Sequence, residues 1–98
     1  MTNIHQYWVY IMANHNHNVI YVGVTNDLFR RYQEHKRGEG STFTAKYKCH
    51  KLIYFEEFNN IDDAIAREKE IKGWRRSKKE ILIKTMNPEK KDLGLQFV

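Results

Sequence analysis

The chain has 98 residues, a formal net charge of +5 at pH 7 and a single cysteine, Cys49. This length allows one domain with a modest core, and a single cysteine excludes an internal disulfide. No apolar stretch approaches the ~20 residues that span a bilayer, and the N-terminus lacks the features of a secretion signal, so we expect a cytoplasmic protein without membrane contact. We predict one domain over residues 1–98, with its core at about 7–84 and a less ordered tail at 85–98.

Two short apolar and aromatic runs near the N-terminus, WVYIM and VIYVGV, predict a β-hairpin across a turn rich in asparagine and histidine. If residues 13–18 form the loop, Tyr10 pairs with Tyr21 and Trp8 pairs with Gly23. The two tyrosines then share one face of the sheet. Aromatic pairs across strands are common stabilisers, so this pair alone does not indicate a site.

A helix follows the hairpin, with Asn26 or Asp27 as its N-cap and its end at about Lys36. Its inward stripe, defined by apolar residues three to four apart, also carries Arg31 and His35. An arginine and a histidine on the helix can therefore converge with the two tyrosines on the sheet.

Two segments predict loops rather than regular elements. In the hairpin turn, His15 and His17 lack a neighbouring cysteine or carboxylate, so a polar turn explains them better than a metal site. After the first helix, residues 37–50 contain Lys46 and Lys48 on either side of an aromatic residue. Cations interleaved with an aromatic suit phosphate contact and base stacking, but they are also common on ordinary surfaces.

The run KLIYFEEF at residues 51–58 predicts a third strand beside the first one, and its apolar residues on both faces indicate the middle of a small covered sheet. A second helix follows, with Asn59 or Asn60 as its N-cap. Glu68 lies in a gap of this helix's apolar stripe and therefore faces inward. A partly buried carboxylate needs a cation, so an ion pair with Arg31 or a lysine and a metal ion are the alternatives.

The C-terminal part of the chain is strongly basic. Gly73 ends the second helix, and the segment from Ser77 to Glu80 predicts a capping box that opens a last helix, with Glu80 as a cap residue. Cations cluster around this junction, at Lys72, Arg75, Arg76 and Lys78. They form either a solvated helix face or a surface that contacts phosphates.

The chain resembles the GIY-YIG nuclease domain from about residue 7 to residue 82. The two triplets of that family correspond to Trp8-Val9-Tyr10 and Tyr21-Val22-Gly23, with eleven positions from tyrosine to tyrosine. Arg31 lies at the family's catalytic arginine, His35 at a histidine that several members carry, and Glu68 at the metal-binding glutamate. Two residues depart from the pattern, because Trp8 replaces a glycine and Val24 stands where repair enzymes have a lysine.

The resemblance implies an α/β fold, specifically an α+β sandwich with a three-stranded antiparallel sheet flanked by helices. It also implies an endonuclease that holds one Mg²⁺ or Mn²⁺ ion on Glu68 and cleaves DNA, with RNA left open, in repair or recombination as in excinuclease-like members. In this assignment Arg31 braces the phosphate, and Tyr10 is the favoured group to take the proton of the attacking water, with His35 as the acceptor. Tyr21 hydrogen-bonds the water or the phosphate, and the sequence leaves open which of the two phenols is the base.

We expect low sequence specificity, because a domain of this size has no separate recognition module and its catalytic face contacts phosphates more than base edges. We also expect no small-molecule cofactor, and a monomer or weak dimer. Two alternatives remain: a non-catalytic nucleic-acid-binding or adaptor module of the same fold, and a protein-interaction domain unrelated to nucleic acid.

Overall fold

The computed structural model describes residues 6–97, which form three strands, four α-helices and a short 3-10 helix. In chain order they are β1 (Tyr7–Ala13), β2 (Ile20–Thr25), α1 (Leu28–Lys36), α2 (Thr42–Tyr47), β3 (Lys51–Phe58), α3 (Ile61–Lys72), α4 (Arg76–Met86) and the 3-10 helix (Leu93–Phe97). Helices cover both faces of one antiparallel sheet, which is the α+β architecture that the sequence predicted. Within residues 6–97, no helix combines the length and apolarity needed to cross a bilayer.

Strand β1 lies in the centre of the sheet, in the order β2-β1-β3. The prediction that β3 is the middle strand was therefore wrong, although its place next to β1 is confirmed. Strand β3 is apolar on both faces for another reason: α4 contacts it on one face, and the 3-10 helix covers the other face. Leu52 and Ile53 thus point to opposite faces and are both fully buried.

The hairpin register differs from the predicted one by two residues. Tyr10 pairs with Gly23, and Tyr21 pairs with Met12, because β1 continues to Ala13 and the loop begins at Asn14. A shift of two residues keeps every side chain on its predicted face, since side chains alternate with period two. Tyr10 and Tyr21 therefore still share a face, on a diagonal rather than directly opposite each other.

Gly23 lies directly beneath the ring of Tyr10. A Cβ atom added at Gly23 would come within 2.5 Å of the Tyr10 hydroxyl and 2.6 Å of its Cζ atom. The predicted pairing of Trp8 with Gly23 is thus wrong, because Trp8 pairs with Thr25. Because it has no side chain, Gly23 of the second motif triplet leaves room for the ring of Tyr10.

The sheet separates two hydrophobic cores. The first core lies between the sheet and the helices α3 and α4, and its buried residues are Val9, Ile11, Ala13, Val22, Ile53, Tyr54, Ala64, Ile71 and Ile83. The second core lies on the α1 side, and its buried residues are Tyr10, Met12, Leu28, Tyr32, Cys49 and Leu52. Alternation along β1 thus sends Tyr10 towards α1.

The segment after α1 is more regular than predicted. Residues 42–47 form the short helix α2, which was expected to be part of a loop. Ser41 caps this helix, because its hydroxyl accepts a hydrogen bond from the backbone nitrogen of Thr44 at 3.0 Å. The residue after the helix, Lys48, adopts a left-handed conformation with φ of 56° and ends it.

The last α-helix begins earlier than the predicted capping box. Helix α4 begins at Arg76, so Ser77 lies inside it and makes no capping hydrogen bond, and the N-cap residue is Arg75. The prediction that Glu80 is a cap residue was wrong, since its carboxylate pairs with Arg76 and Lys90 instead. These two ion pairs join α4 to the segment that follows it.

The terminal segment, predicted to be less ordered from residue 85, contains regular structure in its described part. Its 3-10 helix contacts β3 and α1. Asp92, just before that helix, accepts hydrogen bonds from the Tyr32 hydroxyl at 2.8 Å and the Leu52 backbone nitrogen at 3.0 Å. The segment thereby connects α1 with β3 and adds Leu93 and Phe97 to the second core.

Candidate active site

A chain of hydrogen bonds connects β1, α1 and α2 inside the second core. The Tyr10 hydroxyl lies 2.9 Å from His35 Nε2, and His35 Nδ1 lies 2.8 Å from Thr44 Oγ1. Tyr10 is only 1% exposed, and His35 and Thr44 are fully buried. Because buried polar groups are stable only when they are hydrogen-bonded, this chain fixes the orientation of the phenol and the imidazole.

The partners of Thr44 favour one tautomer of His35. The Thr44 hydroxyl has two possible acceptors on Ser41, the carbonyl oxygen at 3.3 Å and the hydroxyl oxygen at 2.9 Å, and when it donates to either of them it accepts a hydrogen bond from His35 Nδ1. His35 Nε2 then carries a lone pair and accepts the hydrogen bond that the Tyr10 hydroxyl donates. His35 is therefore oriented to receive a proton from Tyr10.

The electrostatic surroundings keep this pair neutral. Burial, assisted by the charge of Arg31, lowers the pKa of His35 to about 4. Burial, followed by the neighbouring Tyr21, raises the pKa of Tyr10 above its usual value, while the charge of Arg31 acts in the opposite direction. At neutral pH the site thus contains an uncharged phenol bonded to an uncharged imidazole.

Tyr21 lies between this buried pair and the surface. It is half-buried, and its ring centroid lies 6.3 Å from that of Tyr10 and 5.7 Å from that of His35. Its other neighbour is Phe43 on α2, at 5.9 Å in a stacked arrangement. The second tyrosine is therefore the more accessible of the two phenols.

Arg31 supplies a positive charge next to Tyr10 and His35. Its Nε atom lies 2.9 Å from a carboxylate oxygen of Glu34, but the N–H bond does not point at this oxygen, and Nε is a buried donor without a hydrogen bond. The other carboxylate oxygen of Glu34 lies 3.7 Å from Nε of Arg30, one helical turn earlier. The Arg31 side chain is 29% exposed, so its guanidinium is a cation that an incoming oxyanion such as a phosphate could reach.

Glu68 faces inward on α3, with 12% of its side chain exposed, whereas 54% of the Glu70 side chain is exposed. Its ion-pair partner is Lys72, one turn further along the helix, and not Arg31. The Lys72 ammonium also lies 5.9 Å from the centroid of the Tyr21 ring. The ion pair thus connects the carboxylate with the edge of the site that Tyr21 forms.

The basic residues predicted to bind nucleic acid have different surroundings. Lys46 and Lys48 are exposed at the end of α2, Arg75 is exposed before α4, and the Lys78 ammonium lies 4.3 Å from the centroid of the Trp74 ring. Arg76 differs from them, because it donates hydrogen bonds to the carbonyls of His17 and Asn18 and pairs with Glu80. Its guanidinium attaches α4 to the hairpin turn, which leaves it less available to a phosphate.

Glu68 is an acidic side chain that could hold a metal ion. Among residues 6–97 there is no group of three histidine, cysteine or acidic side chains that could surround an ion. Mg²⁺ is commonly held by one or two carboxylates together with substrate phosphates and water. One inward carboxylate whose partner lysine is 49% exposed is therefore compatible with an ion that the protein shares with a bound phosphate.

Sequence reasoning missed Ser41 and Thr44, which hold the imidazole in place. The available signal was a serine followed three residues later by a polar residue, as at a helix N-terminus. Gly40 is part of the same arrangement, because a Cβ atom there would clash with the His35 ring. The glycine lets the start of α2 approach α1 closely.

Comparison with known proteins places these residues in a family. The model of the GIY-YIG catalytic domain matches residues 6–81. The chain belongs to the GIY-YIG catalytic domain family. Membership implies a nuclease-type function and a nucleic-acid substrate, and GIY-YIG nucleases generally use divalent metal ions.

Several relatives of this GIY-YIG chain carry the name UPF0213 protein. The one from Haloquadratum walsbyi is 38% identical over 76 residues, which are 78% of this chain and 84% of the relative. The one from Bacillus pumilus is 34% identical over 88 residues, covering 81% of this chain and 90% of the relative. The solution NMR structure of a UPF0213 protein from Bacillus halodurans has 28% identity and a TM-score of 0.57, with 86% of this chain and 88% of that one covered.

Proposed function

We propose that the protein is a metal-dependent endonuclease that hydrolyses phosphodiester bonds in DNA with low sequence specificity, in repair or recombination. The observation that carries this proposal is the buried hydrogen bond from the Tyr10 hydroxyl to His35 Nε2. A phenol by itself has a pKa of about 10 and is a poor base near neutral pH. A phenol that can pass its own proton to an imidazole can take a proton from water without becoming a free tyrosinate.

The proposed proton transfer uses both partners in one step. The Tyr10 oxygen takes a proton from the attacking water while its own proton moves to His35 Nε2. Arg31 binds the phosphate and opposes the negative charge that develops on it. The phosphate in turn offsets the charge of Arg31, which is one cause of the low pKa of His35, so substrate binding makes the imidazole a better acceptor.

Glu68 is the proposed ligand of one Mg²⁺ or Mn²⁺ ion. A divalent ion bound there would stabilise negative charge on the phosphate and its leaving oxygen. Lys72 would then release the carboxylate, and its side chain is 49% exposed and has room to do so. Tyr21, half-buried beside this pair, would hydrogen-bond the water or a phosphate oxygen.

The second candidate function is a non-catalytic nucleic-acid-binding or adaptor module. The observation that favours it is the Glu68–Lys72 ion pair, which occupies the carboxylate that a metal would need. In this case the basic residues would still bind DNA, with the dependence on salt that phosphate contacts produce.

The test is nicking of supercoiled plasmid DNA with Mg²⁺ or Mn²⁺, with EDTA as the metal-free control. We expect nicking that Glu68→Gln and Tyr10→Phe each reduce at least about 100-fold, as for loss of a catalytic group. Glu70→Gln on the exposed face of α3 and Tyr54→Phe on the opposite sheet face are matched controls, expected to keep activity. Thermal melting of each variant checks folding.

Two results would decide against the nuclease proposal. One is the absence of cleavage by the folded wild-type protein on plasmid, branched and single-stranded DNA with either metal, and salt-sensitive binding would then favour the non-catalytic module. The other is equal activity of Glu68→Gln and Glu70→Gln. Cleavage that does not depend on Glu68 would come from a different site or from a contaminating nuclease, which is the same in both preparations.

A further inference from the structure

A row of aromatic rings runs from the candidate active site to the surface. Phe43 stacks on Tyr21 with a centroid distance of 5.9 Å and an angle of 29° between the rings. Tyr47, one turn further along α2, lies 4.8 Å from Phe43. We call Tyr21, Phe43 and Tyr47 the aromatic row. Its inner end lies beside Tyr10 and His35, so anything bound along the row would approach the reacting phosphate.

The outer two rings are more exposed than core packing requires. Phe43 is 42% exposed and Tyr47 is 40% exposed, while the buried residue of this short helix is Thr44. Large rings of this kind stabilise a fold mainly by removing apolar surface from water. Two adjacent rings that remain exposed beside a reaction site therefore indicate a ligand with flat faces.

The surroundings of the outer end favour an anionic ligand. Tyr47 also lines a cleft of about 460 Å³ between α2 and the hairpin turn, together with Asn14, His15, Asn16, Lys48, His50 and Lys51. None of these residues is acidic. The ammonium of Lys46 lies 5.3 Å from the centroid of the Tyr47 ring. Aromatic faces beside cations, without a carboxylate, match a strand of bases and phosphates.

We propose that the aromatic row and this cleft bind an unpaired strand of DNA next to the scissile phosphate. Bases stack on Phe43 and Tyr47, and the phosphates between them face Lys46, Lys48 and Lys51. The bases inside a duplex are already stacked on one another and cannot use these rings. The inference rests on the proposed endonuclease function and narrows its substrate to DNA with an unpaired segment, such as a flap, loop or bubble.

The test measures binding of a fluorescent 12-nucleotide single strand and of the matching duplex, by anisotropy in EDTA so that neither is cleaved. Each of Phe43→Leu and Tyr47→Leu should weaken single-strand binding at least about fivefold, as for the loss of one stacking ring. Both variants should change duplex binding less than about twofold. Phe29→Leu on α1 removes a ring that is also 42% exposed and lies outside the row, and it should affect neither ligand.

Leucine keeps an apolar side chain at each position, and thermal melting confirms that the variants fold. Tyr47 is not stacked on Tyr21, so Tyr47→Leu tests the row without disturbing the inner site. Equal losses on single strand and duplex, or no loss on either, would overturn the inference. So would a Phe29→Leu effect of the same size, because the rings would then act only through nonspecific apolar contact.

The same measurements separate this inference from the proposed function. A protein that cleaves plasmid DNA but shows no effect of Phe43→Leu or Tyr47→Leu on single-strand binding would keep the function and overturn the inference. A protein that binds single strands through these rings but cleaves no DNA would support the binding site and overturn the function.

Discussion

Replacement of Gly23 by alanine tests the closest packing in the candidate site. The added Cβ would lie 2.5 Å from the hydroxyl oxygen of Tyr10, 2.6 Å from Cζ and 2.9 Å from Cε1. Tyr10 is 1% exposed in the second core, so its ring has little room to move away. Overpacking of this kind costs about 1–3 kcal/mol of stability, and the displaced phenol would also lose its hydrogen bond to His35.

The same contacts predict how a second substitution changes this cost. All three close atoms belong to the outer part of the tyrosine ring, which leucine lacks. In a Tyr10→Leu background, Gly23→Ala should therefore cost nothing or stabilise the strand by about 0.5–1 kcal/mol, because glycine is unfavourable there. The two substitutions should show a coupling energy of about 1–4 kcal/mol in a double-mutant cycle.

Urea unfolding of the four proteins measures this coupling. Gly73→Ala is a suitable control, since the nearest atom to its added Cβ is 3.5 Å away, and it should leave stability unchanged or slightly raised. Equal costs of Gly23→Ala in the tyrosine and leucine backgrounds would refute the reasoning. The clash at Gly23 would then be with the backbone of the sheet and not with the phenol.

Three further predictions concern the buried imidazole and the attachment of α4. Folding lowers the pKa of His35 to about 4, so protonation of this residue favours the unfolded chain. The free energy of unfolding should therefore fall by about 2 kcal/mol between pH 7 and pH 5. Urea unfolding at both pH values should show that His35→Gln removes this dependence. Thr44→Val leaves the His35 Nδ1–H without an acceptor and should cost about 1–3 kcal/mol, whereas Thr44→Ser should cost clearly less in the same assay. Arg76→Ala should lower stability by about 0.5–1.5 kcal/mol, because it removes the hydrogen bonds to the hairpin turn. Arg75 is exposed, so Arg75→Ala should change stability by less than about 0.5 kcal/mol. Equal shifts of the melting temperature in the two variants would contradict this assignment.

The elements that the sequence predicted well depend on local signals. The cap at Asp27, confirmed by its hydrogen bond from the Arg30 backbone nitrogen at 3.1 Å, and the cap at Asn60 lie within a few residues of the groups they bind. The hairpin turn was placed one residue too early because its anchor is not apparent from composition. Asn14 holds the turn by bonds to Asn18 and to the Val19 backbone nitrogen, and this lets Ala13 complete β1.

In the candidate site, too, the features set by one helix could be predicted, and the contacts between elements could not. Periodicity placed Glu68 on the inner face of α3 and His35 on the inner stripe of α1, because both depend on one helix each. The second partner of the imidazole, Thr44, could not be predicted in this way. Thr44 reaches His35 only because Gly40 allows α2 to approach α1, and two glycines after a helix indicate a loop when they are considered alone.

The contacts of the C-terminal segment make the folding unit larger than the part that defines the family. The family match ends at residue 81, yet Ile83 beyond it is fully buried in the first core. Leu93 and Phe97 pack in the second core, and Asp92 connects α1 with β3. Residues that lie outside the family match thus complete both sides of the sheet, so the candidate site and the C-terminal segment share the same two cores.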